Sequence, residues 1–243
     1  MTTPPELTPL DESAFDTVLC VVAHPDDLKY GTAAAVDKWV RAGKTVTYVL
    51  ATRGEAGIDT MHPGEAGPLR EREERAGAAH VGVEVVEFLD GFTDGTVEYG
   101  LPLRRAIARE IRVRRPDLVV AQTYADRFPG GWSNQADHRA VGLATLDAKA
   151  DAGNRWIFPE LLEEGHEPWS AKQVLVIGDP EPTHWVDVSG HFEAAVASLS
   201  AHDEYLSALG PDYPAPRDLL GTILGGPSEH LGVEHAVVGR LFG

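Results

Sequence analysis

The chain has 243 residues, of which 43% are hydrophobic and 24% are charged, and these proportions indicate one globular domain over residues 1–243. Its formal net charge of −17 disfavours binding to nucleic acid. No segment has the ~18 consecutive apolar residues that a membrane-spanning helix needs, so we expect no membrane partner. A single cysteine, Cys20, and a polar start without a basic or apolar signal region predict a cytoplasmic protein.

Strands and helices are predicted to alternate along the first two thirds of the chain. Apolar runs rich in β-branched residues indicate strands over residues 17–23, 45–52, 83–89 and 117–123. Helical spacing of apolar residues indicates helices over residues 30–42, 69–80, 101–115 and 137–152. Residues 53–68 and 90–100 are predicted to be loops. Because strands joined by helices form right-handed βαβ units, the order predicts an α/β fold with a doubly wound, mostly parallel sheet and helices on both faces.

The last third of the chain has a less regular pattern. Two more strands are predicted over residues 173–178 and 184–188, followed by a helix over 191–209. From about residue 211 the chain is rich in proline and glycine, with a weak helical or strand tendency around 233–241. This segment could cover a site or form a subunit contact, so the sequence is compatible with a homo-oligomer.

The first motif that carries chemistry is His24-Pro25-Asp26-Asp27, directly after the first predicted strand. Proline ends the strand and sets the turn. In open α/β sheets, ligands bind beyond the carboxyl ends of the strands, where this motif falls. His24 and Asp27 lie three residues apart across the turn and could bind one metal ion, which leaves Asp26 as a free carboxylate.

A second motif, Asp137-His138, opens the helix that follows the fourth strand. A catalytic zinc site typically has three protein ligands and an open position for water, and His24, Asp27 and His138 would form such a set. Asp26 would then be the base that takes the proton of that water, and Asp137 a partner that orients a ligand or the base. The same donors also suit iron, cobalt or manganese. The aspartates could instead be caps of the helices that follow them.

Together these residues resemble the signature of the LmbE-like, or PIG-L, deacetylases. Further segments match that family in the same order: residues 39–46 and 51–57, Arg70-x-x-Glu73, Asp94-Gly95 and Arg115-Pro116-Asp117. The resemblance implies a Rossmann-like α/β fold. It also implies a zinc-dependent amide hydrolase that removes an acyl group, acetyl in most members, from a small N-acetylglucosamine-type sugar or a related sugar-linked amide.

The resemblance also implies roles for individual residues. The zinc ligands would be His24, Asp27 and His138; the base would be Asp26; and the substrate would be bound by Arg70, with Asp94 and Glu55 reaching sugar hydroxyls. One position departs from the family pattern, because its His-Pro-Asp-His motif stands here as Gln135-Ala136-Asp137-His138. Glutamine can donate a hydrogen bond to the oxyanion but cannot carry a charge, and losing such a donor typically costs ~3 kcal/mol.

His184, at the start of a later strand, could compensate for the missing histidine by reaching the site. The departure at Gln135 raises a second hypothesis, that of a sugar- or ligand-binding protein that keeps the fold and the metal without the reaction. A nucleotide-binding Rossmann enzyme is disfavoured, because the first turn lacks the expected Gly-x-Gly-x-x-Gly.

Overall fold

A computed structural model describes residues 7–243, which form one eight-stranded sheet covered by helices. The strands are β1 (Thr8–Pro9), β2 (Thr17–Val22), β3 (Thr45–Leu50), β4 (Val85–Phe88), β5 (Leu118–Gln122), β6 (Gln173–Ile177), β7 (His184–Asp187) and β8 (Ala236–Phe242). The helices are α1 (Thr32–Arg41), α2 (Pro63–His80), α3 (Leu101–Arg114), α4 (Ala136–Gly153), α5 (Glu160–Glu163), α6 (Phe192–Ser200), α7 (Asp203–Ala208) and α8 (Pro216–Ser228). No helix among these residues is long and apolar enough to cross a membrane.

The strand order is β1-β7-β8-β6-β5-β2-β3-β4, and only β8 runs antiparallel to its neighbours. From β2 the chain first builds outward through β3 and β4, and then continues on the other side of β2 with β5 and β6. The order therefore reverses between β2 and β5, which is where such sheets bind ligands. The prediction of an α/β, mostly parallel, doubly wound sheet is confirmed.

The central strand β2 is buried on both faces. Val18, Cys20 and Val22 face a core built with α1, α6 and α8. Leu19 and Val21 face a second core built with α3, α4 and α5. This alternation explains the continuous apolar run of β2, because a parallel strand covered by helices on both sides has no solvent-facing residue.

Three predicted elements differ from the structure. Helix α2 begins at Pro63 rather than at residue 69, because His62 caps it through Nδ1, which accepts from the Gly64 N–H at 3.1 Å. The predicted helix over 191–209 is interrupted at Ala201 and His202, between α6 and α7. The proline- and glycine-rich tail forms α8 and then β8, which inserts between β6 and β7.

Candidate metal and catalytic site

The three predicted metal ligands come together at the carboxyl edge of the sheet, between β2 and β5. Nδ1 of His24 lies 3.2 Å from Nε2 of His138, and this Nε2 lies 3.2 Å from Oδ1 of Asp27. All three side chains are at most 10% exposed. The turn after β2 supplies His24 and Asp27, and the first turn of α4 supplies His138, so two neighbouring strands bring the set together.

The Asp27 carboxylate is built into the turn that carries it. Its Oδ2 accepts the N–H groups of Ala23 at 3.1 Å and His24 at 2.8 Å. The pKa of Asp27 lies well below its ordinary value, because the imidazoles of His138 and His24 outweigh the effect of burial. Asp27 is therefore a charged ligand candidate and not a helix cap; the residue that precedes α1 is Gly31.

Two carboxylates fix the orientation of the His24 ring. Its Nε2 lies 2.9 Å from Oδ1 of Asp94 and 3.3 Å from Oδ2 of Asp137. Burial alone would lower the pKa of His24, but Asp137, Asp27 and Asp94 raise it well above its ordinary value. A proton on Nε2 is thus held by carboxylates, and Nδ1 is left facing His138. Such carboxylate–histidine pairs are typical of metal ligands.

A residue that the sequence analysis missed, Asn134, orients His138 in the same way. The Asn134 amide donates to the carbonyls of Thr123 and Ala125, both at 2.9 Å, so its Oδ1 accepts from Nδ1 of His138, also at 2.9 Å. Asn134 lies four residues before His138, on the turn that leads into α4, and it is 2% exposed. Nε2 of His138 is therefore the ring nitrogen that faces Asp27 and His24.

The resulting donor set fits a divalent transition-metal ion. With their outer ring nitrogens already hydrogen-bonded, His24 and His138 direct their inner ring nitrogens at each other across 3.2 Å, beside the charged Asp27, and the raised pKa of His24 places a proton between them when no metal is bound. Facing lone pairs repel unless a proton or a cation lies between them. Two imidazoles and one carboxylate are the ligands that zinc and its neighbours prefer.

Asp26 lies beside this set with its backbone in the left-handed region, at φ 86°. Its Oδ1 pairs with Nη2 of Arg70 at 2.5 Å, and the side chain is 5% exposed. Burial raises the pKa of Asp26 to about 6, although Arg70 opposes the shift. A carboxyl group with such a pKa can both accept and return a proton near neutral pH.

A family model described as "PIG-L: GlcNAc-PI de-N-acetylase" matches residues 19–149, more than half of the chain. The chain belongs to the PIG-L family. Among curated relatives, the diacetylchitobiose deacetylase of Thermococcus kodakarensis is 30% identical over 191 residues, which cover 76% of this chain and 68% of that protein.

Two further comparisons extend beyond the matched segment. A 1D-myo-inositol 2-acetamido-2-deoxy-alpha-D-glucopyranoside deacetylase of Kineococcus radiotolerans is 29% identical over 287 residues, covering 91% of this chain and 78% of that protein. The solved N,N'-diacetylchitobiose deacetylase of Pyrococcus horikoshii has a TM-score of 0.84 at 24% identity, covering 95% of this chain and 85% of that one, and shares the fold. As the two curated relatives are deacetylases, this PIG-L member is a hydrolase of a non-peptide C–N bond.

Arg70, predicted to bind substrate, is directed into the protein. Beside Asp26, its guanidinium donates to the carbonyls of Pro25 at 2.6 Å and Gly54 at 3.2 Å, and the Tyr205 ring covers it with a centroid distance of 3.8 Å. Arg70 is 2% exposed. Gly54 makes this position possible, because a Cβ there would lie 2.3 Å from Nη1 of Arg70. The structure thus gives Arg70 the role of holding Asp26 rather than reaching outward.

Asp94 and Glu55, predicted to reach sugar hydroxyls, instead join the loops of this PIG-L site. Oδ2 of Asp94 accepts from the Ala56 N–H at 2.8 Å, while its Oδ1 faces His24. Glu55 accepts from the N–H groups of Asp94 and Arg53, both at 3.1 Å. Their carboxylate oxygens accept hydrogen bonds within the protein, so both residues hold together the loops that line the site.

Asp137 has a similar role and does not cap its helix. Besides His24, it accepts the N–H groups of Gly95 at 2.7 Å and Val97 at 3.1 Å. It is 2% exposed and ties the loop after β4 to the start of α4.

Two predicted residues lie apart from the buried cluster. Gln135 precedes α4 with an exposed side chain that makes no hydrogen bond within residues 7–243. His184 lies at the amino end of β7, and β8, β6 and β5 separate it from β2. Because β7 is parallel to β2 by way of β8 and β6, its amino end is at the opposite edge of the sheet. His184 is therefore not brought to the site; its Nδ1 lies 2.9 Å from Oγ1 of Thr183.

Proposed function

We propose that this PIG-L member removes the acetyl group from an N-acetylglucosamine-type amino sugar, with a divalent ion, zinc before others, bound by His24, Asp27 and His138. The observation that carries the proposal is the pair of ring nitrogens 3.2 Å apart beside a charged carboxylate. The two curated relatives are named for deacetylating diacetylchitobiose and a 2-acetamido-2-deoxyglucopyranoside, and both names describe acetylated amino sugars.

When bound, such an ion supplies Lewis acidity, which polarises the amide carbonyl and makes water a stronger acid. Asp26 accepts a proton as the water oxygen bonds to the acetyl carbon. It returns that proton to the amide nitrogen as the C–N bond breaks, so the products are acetate and a free amine. Its pKa of about 6, set by burial, suits both transfers at neutral pH.

Gln135 is proposed as the hydrogen-bond donor to the carbonyl oxygen as negative charge develops there. Its exposed side chain lies at the start of α4, three residues before His138, and is free to turn toward a bound substrate. A neutral amide donates without supplying a charge or a proton, so this chain depends on Asp26 for both proton transfers.

The test is acetate release by the zinc-loaded protein from N-acetylglucosamine, diacetylchitobiose and a 2-acetamido-2-deoxyglucopyranosyl inositol. We expect release by the wild type, and a loss of about 10³-fold or more in Asp26→Asn with one zinc still bound. Asp212→Asn, which changes an exposed carboxylate, is the matched control. Near-wild-type activity of Asp26→Asn would refute the assignment of the base.

The same assay separates the alternative of a ligand-binding protein without the reaction. That alternative predicts sugar binding by calorimetry without acetate release, and activity gained in Gln135→His. Release by the wild type, with Gln135→Ala reduced about 10²-fold in kcat, supports the proposal.

A further inference from the structure

A buried ion pair lies directly behind Asp26. Nζ of Lys29 is 2.6 Å from Oε1 of Glu74, and the two side chains are 0% and 1% exposed. Replacing a buried ion pair by apolar side chains of similar size is often neutral or stabilising, so the pair is a poor means of stabilising a fold. Its place in the molecule points to another role.

The second oxygen of Glu74 binds the backbone of Asp26. Oε2 accepts the Asp26 N–H at 3.1 Å. Asp26 has φ 86°, a conformation that non-glycine residues avoid and that persists only where the surroundings enforce it. Glycine would adopt this angle freely but would remove the carboxylate, so a base at this position needs an external constraint.

Helix α2 contacts both the side chain and the backbone of Asp26. Arg70 and Glu74 are four residues apart and lie on one face of α2. Arg70 pairs with the Asp26 carboxylate at 2.5 Å, and Glu74 accepts its backbone N–H. One helix face therefore sets both the backbone angle of Asp26 and the direction of its side chain.

Lys29 compensates the charge of Glu74 inside the protein. The nearest alternative cation, His202, is 0% exposed, and its Nε2 lies 3.6 Å from Oε2 of Glu74. Burial, together with Lys29 and Arg70, holds the pKa of His202 well below its ordinary value, so its ring is neutral. Gly77 leaves room for the lysine, because a Cβ there would lie 2.9 Å from Cε of Lys29.

We propose that Glu74 is a positioning residue for the base: it holds the backbone of Asp26 in the left-handed conformation that aims the carboxylate, and Lys29 is its counter-ion. The catalytic consequence rests on the proposed function. Because a misplacement of about 1 Å can cost ~10²-fold in rate, loss of this hydrogen bond should reduce kcat rather than substrate affinity.

The test compares two double variants in which the buried charges are removed together. Lys29→Met/Glu74→Gln keeps an oxygen that can accept the Asp26 N–H, and Lys29→Met/Glu74→Leu does not. We expect the glutamine variant to keep kcat within about threefold of wild type, and the leucine variant to lose 10- to 100-fold, with KM and the zinc Kd within about threefold in both. Equal kcat values in the two variants would overturn the proposal.

Two readouts need no turnover and separate this proposal from the proposed function. In crystal structures, Asp26 should stay at positive φ in the glutamine variant and leave that region in the leucine variant. In the wild type, the Asp26 amide proton should exchange about 10²-fold or more slowly than amides of exposed loops. An unprotected amide, or an unchanged φ in the leucine variant, overturns the positioning role. Absence of acetate release by the wild type overturns the proposed function alone.

Discussion

Replacing Asn134 by alanine tests the argument for the metal site most directly. The side chain donates to the carbonyls of Thr123 and Ala125 and accepts from Nδ1 of His138, each at 2.9 Å. Removing the acceptor lets the His138 ring turn, and losing such an orienting partner typically weakens metal binding 10- to 100-fold, or about 1.4 to 2.7 kcal/mol. Removing the donors leaves the buried carbonyl of Thr123 and the partly buried carbonyl of Ala125 without this partner, at about 1 kcal/mol each.

We therefore expect Asn134→Ala to bind zinc 10- to 100-fold more weakly, and its metal-free form to be ~2 kcal/mol less stable. Chelator competition measures the first quantity, and urea unfolding of the metal-free protein measures the second. Asn154→Ala is the control, because Asn154 is exposed and its Oδ1 accepts only the Trp156 N–H at 2.9 Å. If Asn134→Ala were less stable but bound zinc with the wild-type Kd, Asn134 would only stabilise its loop. The argument that Asn134 orients His138 for metal binding would then be refuted.

Three further predictions concern the framework of the fold and the contact between Gly54 and Arg70. Asp117 binds the N–H groups of Asp16 and Thr17, and these bonds outweigh burial and hold its pKa at about 2. The charged Asp117 carboxylate should add ~1 kcal/mol, after solvent screening, to the free energy of unfolding. This contribution should be present above about pH 4 and lost as the pH falls toward 2. Urea unfolding of the wild type and of Asp117→Asn across that pH range measures it, and a constant difference between the two proteins would contradict it. Gly54→Ala should push Arg70 away from Asp26 and lower kcat ~10²-fold without changing zinc stoichiometry; unchanged kcat would contradict the role of Arg70. Arg112, 2% exposed, donates to backbone carbonyls at the end of α4 and in the loop beyond, so Arg112→Met should cost about 3 kcal/mol in thermal unfolding, and a loss below about 0.5 kcal/mol would contradict this.

The candidate metal ligands could be predicted because their signals are local. A buried strand, a proline and two aspartates within a few residues place His24 and Asp27 at a strand end, and the alternation of elements places His138 at the neighbouring one. The resemblance to the PIG-L family then supplied the order of the motifs.

The residues that position those ligands could not be found in this way. Glu74 and Asp26 are 48 residues apart in the sequence, and no local sequence pattern indicates that they are in contact. The family resemblance predicts that Asp94 and Glu55 contact sugar hydroxyls, because both lie in loops at the site, but the sequence does not reveal the hydrogen bonds that these loops make with each other. The prediction that His184 reaches the site is wrong, because the first residue of a strand parallel to β2 lies at the edge of the sheet opposite to the site.

The loops after β2, β3 and β4 meet at a single carboxylate, that of Asp94, whose two oxygens join His24 to Ala56. This connection constrains how the enzyme can be changed. If the loop after β3 were replaced by that of a relative, the new loop would have to place a backbone N–H where that of Ala56 lies. Otherwise Asp94 would lose this hydrogen bond and with it the position from which it contacts the His24 ring. Substrate range in this scaffold should therefore evolve, or be engineered, more readily through the exposed segment around Trp132, which lies outside this connection, than through residues 53–57.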